Sequence, residues 1–477
     1  MTKASLEAAL NEILTEKYVS NDPNVAIAYV RDTGIFEGFP PEEVVRPGSA
    51  EEVSEILKVA NAERKPVVIR GGGSTYTGSC VPLRDGTILM DLTRLDDVIE
   101  IDEGARSITV QAGINWGKMM TILRQRGYTP GMTGPGSGWT ATVGGSASVA
   151  STGGGRAKFG GVCDQILGLQ VVLPTGEIIR TGSRVNPYAK AFCRYGLGPD
   201  MTGLFLGDHG IFGVKTEVTM RIHPLAKSVT HFEYAFRSEE KAIEAFAELG
   251  RVNELATSIN LYDADYVSFS AKRPGYAYLS GVEGEVLGTI AAQSEKLALA
   301  QKEIFDGIAK KHGGEELEPK RAKHAYENTF FPYNTYFWMR RDSGIYLCLA
   351  NQNSADSLLR VIRGYRDFLK AHRDVVDKYF EYQGITVQTY MRHITMSARR
   401  YLPWKFDMDP EARRIAMDFW TKEIDFFIRN GAVHYWIGKI VGDRLYILVS
   451  KEYHEFLKRV KRALDPNGIL NPGLFLL

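Results

Sequence analysis

Glycines occur in clusters between residues 70 and 161, and this is the most informative chemical pattern in the sequence. The clusters are Gly71-Gly72-Gly73, residues 134–138 (GPGSG), Gly144-Gly145 and Gly153-Gly154-Gly155. Glycine accepts positive φ and lets a ligand approach the main chain, and runs of exposed N–H groups in such turns bind anions. Several of these turns in one segment predict a large ligand with a phosphate end and a flat end. A dinucleotide cofactor fits this description.

Alternating helices and strands are predicted around these glycines. Ser49 and Glu52 form a capping box that predicts the start of a helix. A short buried strand at residues 66–69 follows and ends at the first glycine cluster. Ligands of alternating α/β structures bind where loops leave the strands, so this loop is a candidate ligand site.

A second region is predicted from residue 225 to about 450. Helices are predicted at 238–249, 292–311, 354–371 and 411–429, and strand-like runs lie between them, for example at 344–349 and 446–449. Asp409 is the predicted N-cap of the last helix, with Pro410 at its first position. Two helices for each pair of strands indicate an antiparallel sheet covered by helices. The basic helix 456–464 then leads into the final segment.

Composition excludes several classes of protein. The 477 residues suffice for two or three domains. Lys and Arg number 58 against 57 for Asp and Glu, and this balance argues against a nucleic-acid partner. No apolar run reaches the roughly 20 residues of a transmembrane helix. The four cysteines are scattered without a C-x-x-C pair, which favours a reduced, cytoplasmic protein.

Several common site motifs are missing from the sequence. It contains no G-x-G-x-x-G after a strand, no P-loop, no H-E-x-x-H and no G-x-S-x-G. The nine histidines show no metal-ligand spacing, so we expect no metal site.

The order of the glycine elements resembles that of the FAD-binding oxidoreductases of the vanillyl-alcohol oxidase superfamily, also called the p-cresol methylhydroxylase type. Residues 66–78 (PVVIRGGGSTYTG) resemble its pyrophosphate loop, and residues 134–155 resemble its second flavin-contacting stretch. Residues 207–214 and 464–473 resemble later elements in the same order. The similarity covers about residues 40–224 and 456–477, and it is nearest to the FAD-linked glycolate oxidase and D-lactate dehydrogenase branch.

This resemblance implies an FAD site. The residues it assigns to cofactor binding are Arg70, Gly71, Gly72, Gly73, Ser74, Thr75, Tyr76, Pro135, Gly136, Thr142, Gly144, Gly145, Ser148, Gly154, Gly213, Val214 and Asn471. Members with covalent flavin often have histidine where this chain has Ser74, so noncovalent FAD is expected. We expect Gly72 to need φ > 0 beside the phosphates.

Flavin chemistry defines what the second region must supply. A base must take the hydroxyl proton, and an acidic substrate needs a cation, best an arginine fork. His434 is the first candidate for the base, and Arg392 is the candidate anchor for a carboxylate. Further candidates for the site are His393, Tyr390, Tyr435, Gln388, Arg399 and the aromatic run 330–338.

We therefore predict an α+β protein. Residues 1–224 would form a p-cresol methylhydroxylase-type FAD-binding domain of two α/β subdomains, residues 225–450 a substrate-binding cap with a helix-covered antiparallel sheet, and residues 451–477 a segment that returns to the first domain. The resemblance implies oxidation of a hydroxyl group on a small organic substrate, with a 2-hydroxy acid leading and hydride passing to flavin N5. The electron acceptor is unknown and a homo-oligomer is possible. The alternatives are oxidation of a phenolic or bulky alcohol, and a non-redox flavin synthase of the alkyl-glycerone-phosphate synthase type.

Overall fold

The chain folds into two compact units. The computed structural model describes residues 3–271, 280–330, 344–391, 393–435, 437–442 and 444–475. Unit 1 contains Met1–Ser151, Val162–His223 and Trp436–Leu477, and unit 2 contains Thr152–Gly161 and Pro224–Tyr435. Unit 1 is therefore built from both ends of the chain, whereas unit 2 is built from its middle and one short earlier piece.

Unit 1 contains two main sheets. Its strands are β1 (Val19–Ser20), β2 (Glu43–Val45), β3 (Val67–Arg70), β4 (Ile88–Asp91), β5 (Val98–Asp102), β6 (Ser107–Gln111), β7 (Tyr128–Thr129), β8 (Ile166–Val172), β9 (Ile178–Arg180) and β10 (Val214–Arg221). A short strand β11 (His223–Pro224) lies where the chain passes from unit 1 to unit 2. The first sheet has the order β1-β2-β4-β3, with β2 and β3 parallel to β4. The second has the order β5-β6-β10-β8-β9 and is antiparallel throughout.

Helices of unit 1 cover these sheets. They are Lys3–Leu14, Pro23–Ala26, Ala50–Ala62, Trp116–Gln125, Val143–Ser148, Val162–Gln165, Met201–Leu204, Gly438–Gly442, Leu445–Leu448 and Lys451–Leu464, with 3-10 turns at Glu16–Tyr18, Ile27–Tyr29, Leu92–Arg94 and Gly182–Val185. The predicted capping box is present: the Ser49 hydroxyl accepts from the Glu52 N–H at 3.1 Å. Residues 446–449 were predicted as a strand, and this was wrong, because they lie largely in the short helix Leu445–Leu448. A four-residue apolar run does not distinguish a strand from one helical turn.

Unit 2 is built on one antiparallel sheet of eight strands. They are β12 (Ser228–Phe236), β13 (Ser258–Asp263), β14 (Gly284–Ala292), β15 (Glu315–Glu316), β16 (Ile345–Asn353), β17 (Glu381–Tyr390), β18 (His393–Leu402) and β19 (Val433–His434). Their order is β15-β12-β14-β13-β17-β18-β16-β19. Neighbours in this sheet are distant in sequence, so its register brings together residues that no local pattern connects.

Helices of unit 2 pack on this sheet. They are Arg156–Phe159, Glu239–Leu249, Ala264–Ser270, Glu295–Lys311, Lys320–Phe330, Leu358–Ala371, Arg373–Tyr379 and Pro410–Arg429, with 3-10 turns at Gly250–Leu255, Ala355–Ser357 and Trp404–Phe406. Asp409 caps the longest of them by accepting from two N–H groups, and Pro410 occupies its first turn, as predicted. The α+β class is confirmed. None of the helices in the described parts of the chain is long and apolar enough to span a membrane.

A buried ion pair fixes one face of the unit 2 sheet against a helix. Arg400 of β18 donates to both carboxylate oxygens of Glu423, which lies on the helix Pro410–Arg429. The Tyr365 hydroxyl donates to the same carboxylate. Arg400 is 1 % exposed and Glu423 is fully buried. Removing either partner would cost much stability, because the remaining charge would be buried away from water without compensation.

The variant Arg400→Met should therefore destabilise the protein by about 3–5 kcal/mol, because it leaves the Glu423 carboxylate buried and uncompensated. The double variant Arg400→Met/Glu423→Leu should recover most of this loss, since no charge is then left in the core. Denaturant unfolding of the two variants and the parent measures both effects. Equal destabilisation of the single and double variants would show that packing, and not charge, determines the loss.

Candidate cofactor and substrate site

The loop after β3 presents a run of unused backbone donors. Within the described parts of the chain, the N–H groups of residues 71–75 donate no hydrogen bond. Gly72 is exposed, and its neighbours in the loop are partly exposed. Gly73 has φ of +61°, which turns successive N–H groups towards one side. The loop is therefore a nest suited to an anion such as a pyrophosphate.

The need for glycine at residue 72 has a different origin from the one expected. Gly72 does not take a positive φ, and the left-handed residue of the loop is Gly73. A Cβ atom on residue 72 would lie 1.5 Å from the Thr140 carbonyl oxygen. Close approach of two backbone segments therefore excludes a side chain here, and the expectation of positive φ at Gly72 was wrong.

The second glycine-rich stretch packs beside this loop. The Ser137 hydroxyl donates to the Ser74 hydroxyl at 3.2 Å, and Gly71 faces the Thr142 side chain. Thr142 caps the short helix Val143–Ser148 by accepting from the Gly145 N–H. The N–H groups of residues 136–139 also donate no hydrogen bond within the described chain. Two sets of free donors therefore lie next to each other in unit 1.

The C-terminal segment holds the first loop in place. The Asn471 side chain accepts from the Ile69 N–H and donates to the His209 carbonyl. Lys461 donates to Asp465 and to the carbonyls of Ile211 and Leu470. Asn471 therefore joins three distant segments through one amide.

Buried charges hold the loop 207–213. The Asp208 carboxylate pairs with Lys215 at 2.6 Å, and both side chains are almost completely buried. Burial raises the pKa of the Asp208 carboxyl, and Lys215 opposes that shift. Burial likewise lowers the pKa of Lys461, and Asp465 opposes it. Burial raises the pKa of the Cys80 thiol to about 11, which favours the protonated thiol at neutral pH.

Several of the predicted cofactor residues pack against other residues of unit 1. A Cβ at Gly144 would meet Ala112 at 2.5 Å, and one at Gly213 would meet Val171 at 2.5 Å. Val214 is fully buried in the core. The Arg70 guanidinium donates to the carbonyls of Arg31 and Cys80. Gly144 and Gly213 are thus required by close packing inside unit 1, and the side chain of Val214 belongs to the core.

The remaining predicted cofactor residues are distributed over both units. Tyr76 is buried, Pro135 and Ser148 are partly buried, and Gly136 is exposed in unit 1. Gly154 belongs to unit 2, because Thr152–Gly161 packs with that unit. The glycine pattern gave no sign of this division.

Unit 2 carries a row of polar side chains across the middle of its sheet. Directly paired residues lie on the same face, and the register pairs Asn260 with Gln388, Gln388 with Thr395, and Thr395 with Gln352. We call these four residues the polar row. The hydroxyl of Thr395 is buried and has no partner within the described chain, and the same holds for Thr386 on the same face. Of these four residues the sequence indicated only Gln388. The other three lie beside it through strand pairing, which no local sequence pattern reveals.

The candidate catalytic residues fall on both faces of this sheet. Tyr390 and His393 are paired next to the polar row, with ring centroids 4.3 Å apart and nearly parallel. His434 lies on the other face of the sheet. It is paired with Asn351, and Asn351 is paired with Met396, which shares a face with Arg400. The helix Pro410–Arg429 packs on that face. The His434 Nδ1 atom lies 3.2 Å from the Asn351 amide oxygen.

The other candidates are placed as follows. The Tyr435 hydroxyl lies 3.1 Å from the hydroxyl of Thr152. Arg399 is on the face of the polar row, with its guanidinium 5.6 Å from the centre of the Tyr266 ring. Arg392 and the aromatic residues 331–338 lie outside the described residues.

Comparison with known proteins identifies two domains of the chain. Residues 41–182 match the family of FAD-binding domains, and residues 441–474 match the C-terminal domain of FAD-linked oxidases. The glycolate oxidase subunit GlcD of Bacillus subtilis (strain 168) is 24% identical over 91% of this chain and 88% of its own length. The mitochondrial D-lactate dehydrogenase [cytochrome] of Arabidopsis thaliana is 23% identical over 99% of this chain and 81% of its own.

A solved structure supports the same assignment at the level of fold. p-Cresol methylhydroxylase with bound substrate superposes with a TM-score of 0.84 at 19% identity, over 99% of this chain and 96% of that one. The chain thus carries an FAD-binding domain at residues 41–182 and has the fold of p-cresol methylhydroxylase. With the two matched domains and these relatives, the chain is an FAD-linked oxidoreductase, and FAD is its cofactor.

The residues of unit 1 fit this cofactor. Unused N–H donors at residues 71–75 and 136–139 suit the pyrophosphate. The buried Ser151 hydroxyl, at the end of the second stretch, has no partner within the described chain and is a further donor for a polar ligand. Both glycine-rich stretches thus have hydrogen-bond donors that suit the phosphates of FAD.

FAD should be released when the purified protein is precipitated with acid or heat, because Ser74 has no imidazole with which to form a histidyl link to the flavin. The measurement is the flavin absorbance of the supernatant and of the washed precipitate. A yellow precipitate would contradict noncovalent binding and would indicate attachment through another side chain.

Proposed function

We propose that the protein oxidises the hydroxyl group of a small 2-hydroxy acid. The observation that carries this proposal is the polar row of unit 2, which places three amides and one hydroxyl on neighbouring strands. Buried polar groups are costly unless they are hydrogen-bonded, so the unpartnered hydroxyls of Thr386 and Thr395 favour a polar ligand over this face. When bound, FAD supplies the hydride acceptor at flavin N5.

The chemistry of this face favours a hydroxy acid over a phenol. A hydroxy acid offers one hydroxyl donor and several oxygen acceptors, which match amide and hydroxyl side chains. A phenolic substrate needs mainly apolar walls, which the polar row does not provide. Arg399 lies on the same face and supplies a cation for a carboxylate. The names of two relatives, a glycolate oxidase and a D-lactate dehydrogenase, support the same substrate class.

Residues on the polar face of the unit 2 sheet would each have one role in this reaction. His393 would accept the proton of the substrate hydroxyl, and Tyr390, stacked on it, would hold its ring in place. Arg399 would bind the carboxylate, and Arg392 stays the candidate that the sequence predicted for the same task. Gln388 and Thr395 would orient the hydroxyl between them.

An anaerobic screen tests the substrate class. The purified protein is mixed with D- and L-2-hydroxy acids, 4-alkylphenols and benzylic alcohols, and bleaching of the flavin absorbance is followed. Bleaching by one enantiomer of a 2-hydroxy acid is the expected result. Bleaching by phenols alone would replace the proposal with the phenolic alternative, and no bleaching by any compound would favour a flavin protein without net redox chemistry.

Arg399→Met should weaken binding of acid substrates by roughly tenfold to a hundredfold and leave neutral alcohols unaffected, because a charge-assisted pair with the carboxylate is lost. Arg392→Met is the parallel test of the sequence-based anchor. Rapid-reaction titration of flavin reduction against substrate concentration separates binding from the reduction step. An equal loss for acids and neutral alcohols would show that the arginine acts on the structure of unit 2.

A further inference from the structure

A continuous chain of hydrogen bonds connects the pyrophosphate loop to a buried histidine of unit 1. The hydroxyls of Thr75 and Thr77 are 3.0 Å apart, and those of Thr77 and Ser79 are 2.8 Å apart. The Ser79 hydroxyl then lies 2.9 Å from Nδ1 of His209. Thr77, Ser79 and His209 are all buried, whereas Thr75 is partly exposed in the loop.

The position of His209 at the end of this chain is fixed by its backbone. Its φ is +51°, its N–H donates to the Ser148 carbonyl, and its own carbonyl accepts from Asn471. The edge of its ring meets Phe475 at a centroid distance of 5.5 Å. A left-handed residue other than glycine persists only when its surroundings hold it in place. These contacts hold Nδ1 towards Ser79.

Each hydroxyl in this chain has one hydrogen to donate, so the protonation of Nδ1 limits the directions that the other bonds can take. If Nδ1 carries no proton, Ser79 donates to it, Thr77 donates to Ser79, and Thr75 donates to Thr77. The oxygen of Thr75 then shows only lone pairs to a ligand. If Nδ1 carries a proton, it donates to Ser79, Ser79 can then donate to Thr77 and Thr77 to Thr75, and this direction leaves the hydrogen of Thr75 free to point out of the chain.

We propose that His209 carries its proton on Nδ1 and thereby orients the Thr75 hydroxyl as a donor to the pyrophosphate of FAD. His209, Ser79 and Thr77 are positioning residues in this arrangement, and Thr75 is the group that touches the cofactor. The proposal rests on the assignment of residues 70–78 to the pyrophosphate, and not on the substrate of the enzyme. An oxyanion favours a hydrogen-bond donor and disfavours a lone pair, so the direction of the chain affects cofactor affinity.

The test is the rate at which FAD leaves the holoenzyme, followed by recovery of FAD fluorescence after dilution. Thr75→Val removes the donor and should speed release about tenfold to a hundredfold, the range for one hydrogen bond to a charged group. Ser79→Ala breaks the chain at a distance from the ligand and should speed release by a comparable factor. The double variant should be no faster than the faster single variant, because both changes remove the same donor.

Two conservative variants and two further measurements separate the orientation of the Thr75 hydroxyl from general damage to the loop. Ser79→Thr keeps a hydroxyl, and His209→Asn keeps a donor near the place of Nδ1 and tolerates positive φ, so both should retain slow release. Riboflavin lacks the pyrophosphate, and its affinity for the apoprotein should be the same in Thr75→Val and the parent. The thermal unfolding midpoints of the Thr75→Val and parent apoproteins should also agree.

The outcomes separate the assumptions. If Thr75→Val releases FAD at the parental rate, the contact between Thr75 and the pyrophosphate is overturned. If Thr75→Val is fast and Ser79→Ala is not, or if their effects multiply in the double variant, the oriented chain is overturned. None of these results depends on which substrate reduces the flavin, so failure of the hydroxy-acid proposal is seen separately in the bleaching screen.

Discussion

Flavin reduction by substrate should be slower by about 10²–10⁴-fold in His393→Ala, with FAD still bound, because the variant removes the proposed proton acceptor. His393 lies beside the polar row and stacks on Tyr390, so its ring is on the face that carries the unpartnered hydroxyls. An imidazole can accept a proton near neutral pH. Single-turnover reduction under anaerobic conditions measures the effect directly and excludes the step in which the flavin is reoxidised.

His434→Ala is the matched comparison for this variant. It removes the same chemical group from the other face of the sheet, where His434 lies near Asn351. We expect a small effect on the reduction rate and a loss of stability. Slow reduction in His434→Ala with a normal rate in His393→Ala would restore the assignment favoured by the sequence. Tyr390→Phe should retain most of the rate if Tyr390 only supports the ring of His393.

Gly72→Val should give a protein that lacks FAD. A Cβ at residue 72 would lie 1.5 Å from the Thr140 carbonyl oxygen, so the two glycine-rich stretches would be forced apart. The donors of residues 71–75 would then no longer face a common ligand. The ratio of flavin to protein absorbance in the purified variant measures the loss.

Gly138→Ala is the control for this prediction. Gly138 belongs to the second glycine-rich stretch, but the nearest atom to a Cβ at this residue would be 3.6 Å away, an ordinary contact. This variant should retain full flavin occupancy. A flavin-free Gly138→Ala would mean that any substitution in these stretches disrupts binding, and full occupancy of Gly72→Val would remove residues 70–78 as the phosphate loop.

Local signals in the sequence predicted much of the fold. Ser49 with Glu52, and Asp409 with Pro410, marked helix starts that the structure contains. These patterns are reliable because the capping partners are only a few residues apart. The run 446–449 lacked such signals, and among the described residues the structure shows no side-chain cap at the start of its helix.

The candidate site was less predictable, because strand register brings its residues together. Asn260, Gln352 and Thr395 come from three strands far apart in the chain, and each is an ordinary polar residue in its own segment. The face occupied by His434 follows from pairing with Asn351 in a strand of two residues, which has no periodicity to read. Glycine count likewise predicted a tight loop at residues 71–73, but not which glycine takes the positive φ.

The bond between Ile69 and Asn471 joins residues 402 positions apart. During synthesis, ribosomes add roughly 5–20 residues per second, so the first parallel strands must wait about 20–80 s for the segment that completes them. Pro224–Tyr435 emerges earlier as one stretch and can begin to fold in the meantime. The nascent N-terminal strands thus lack this partner, and are open to unwanted association, for most of translation. Loss of the last ten or so residues, by premature termination or proteolysis, would remove the Asn471 side chain that joins three segments of unit 1.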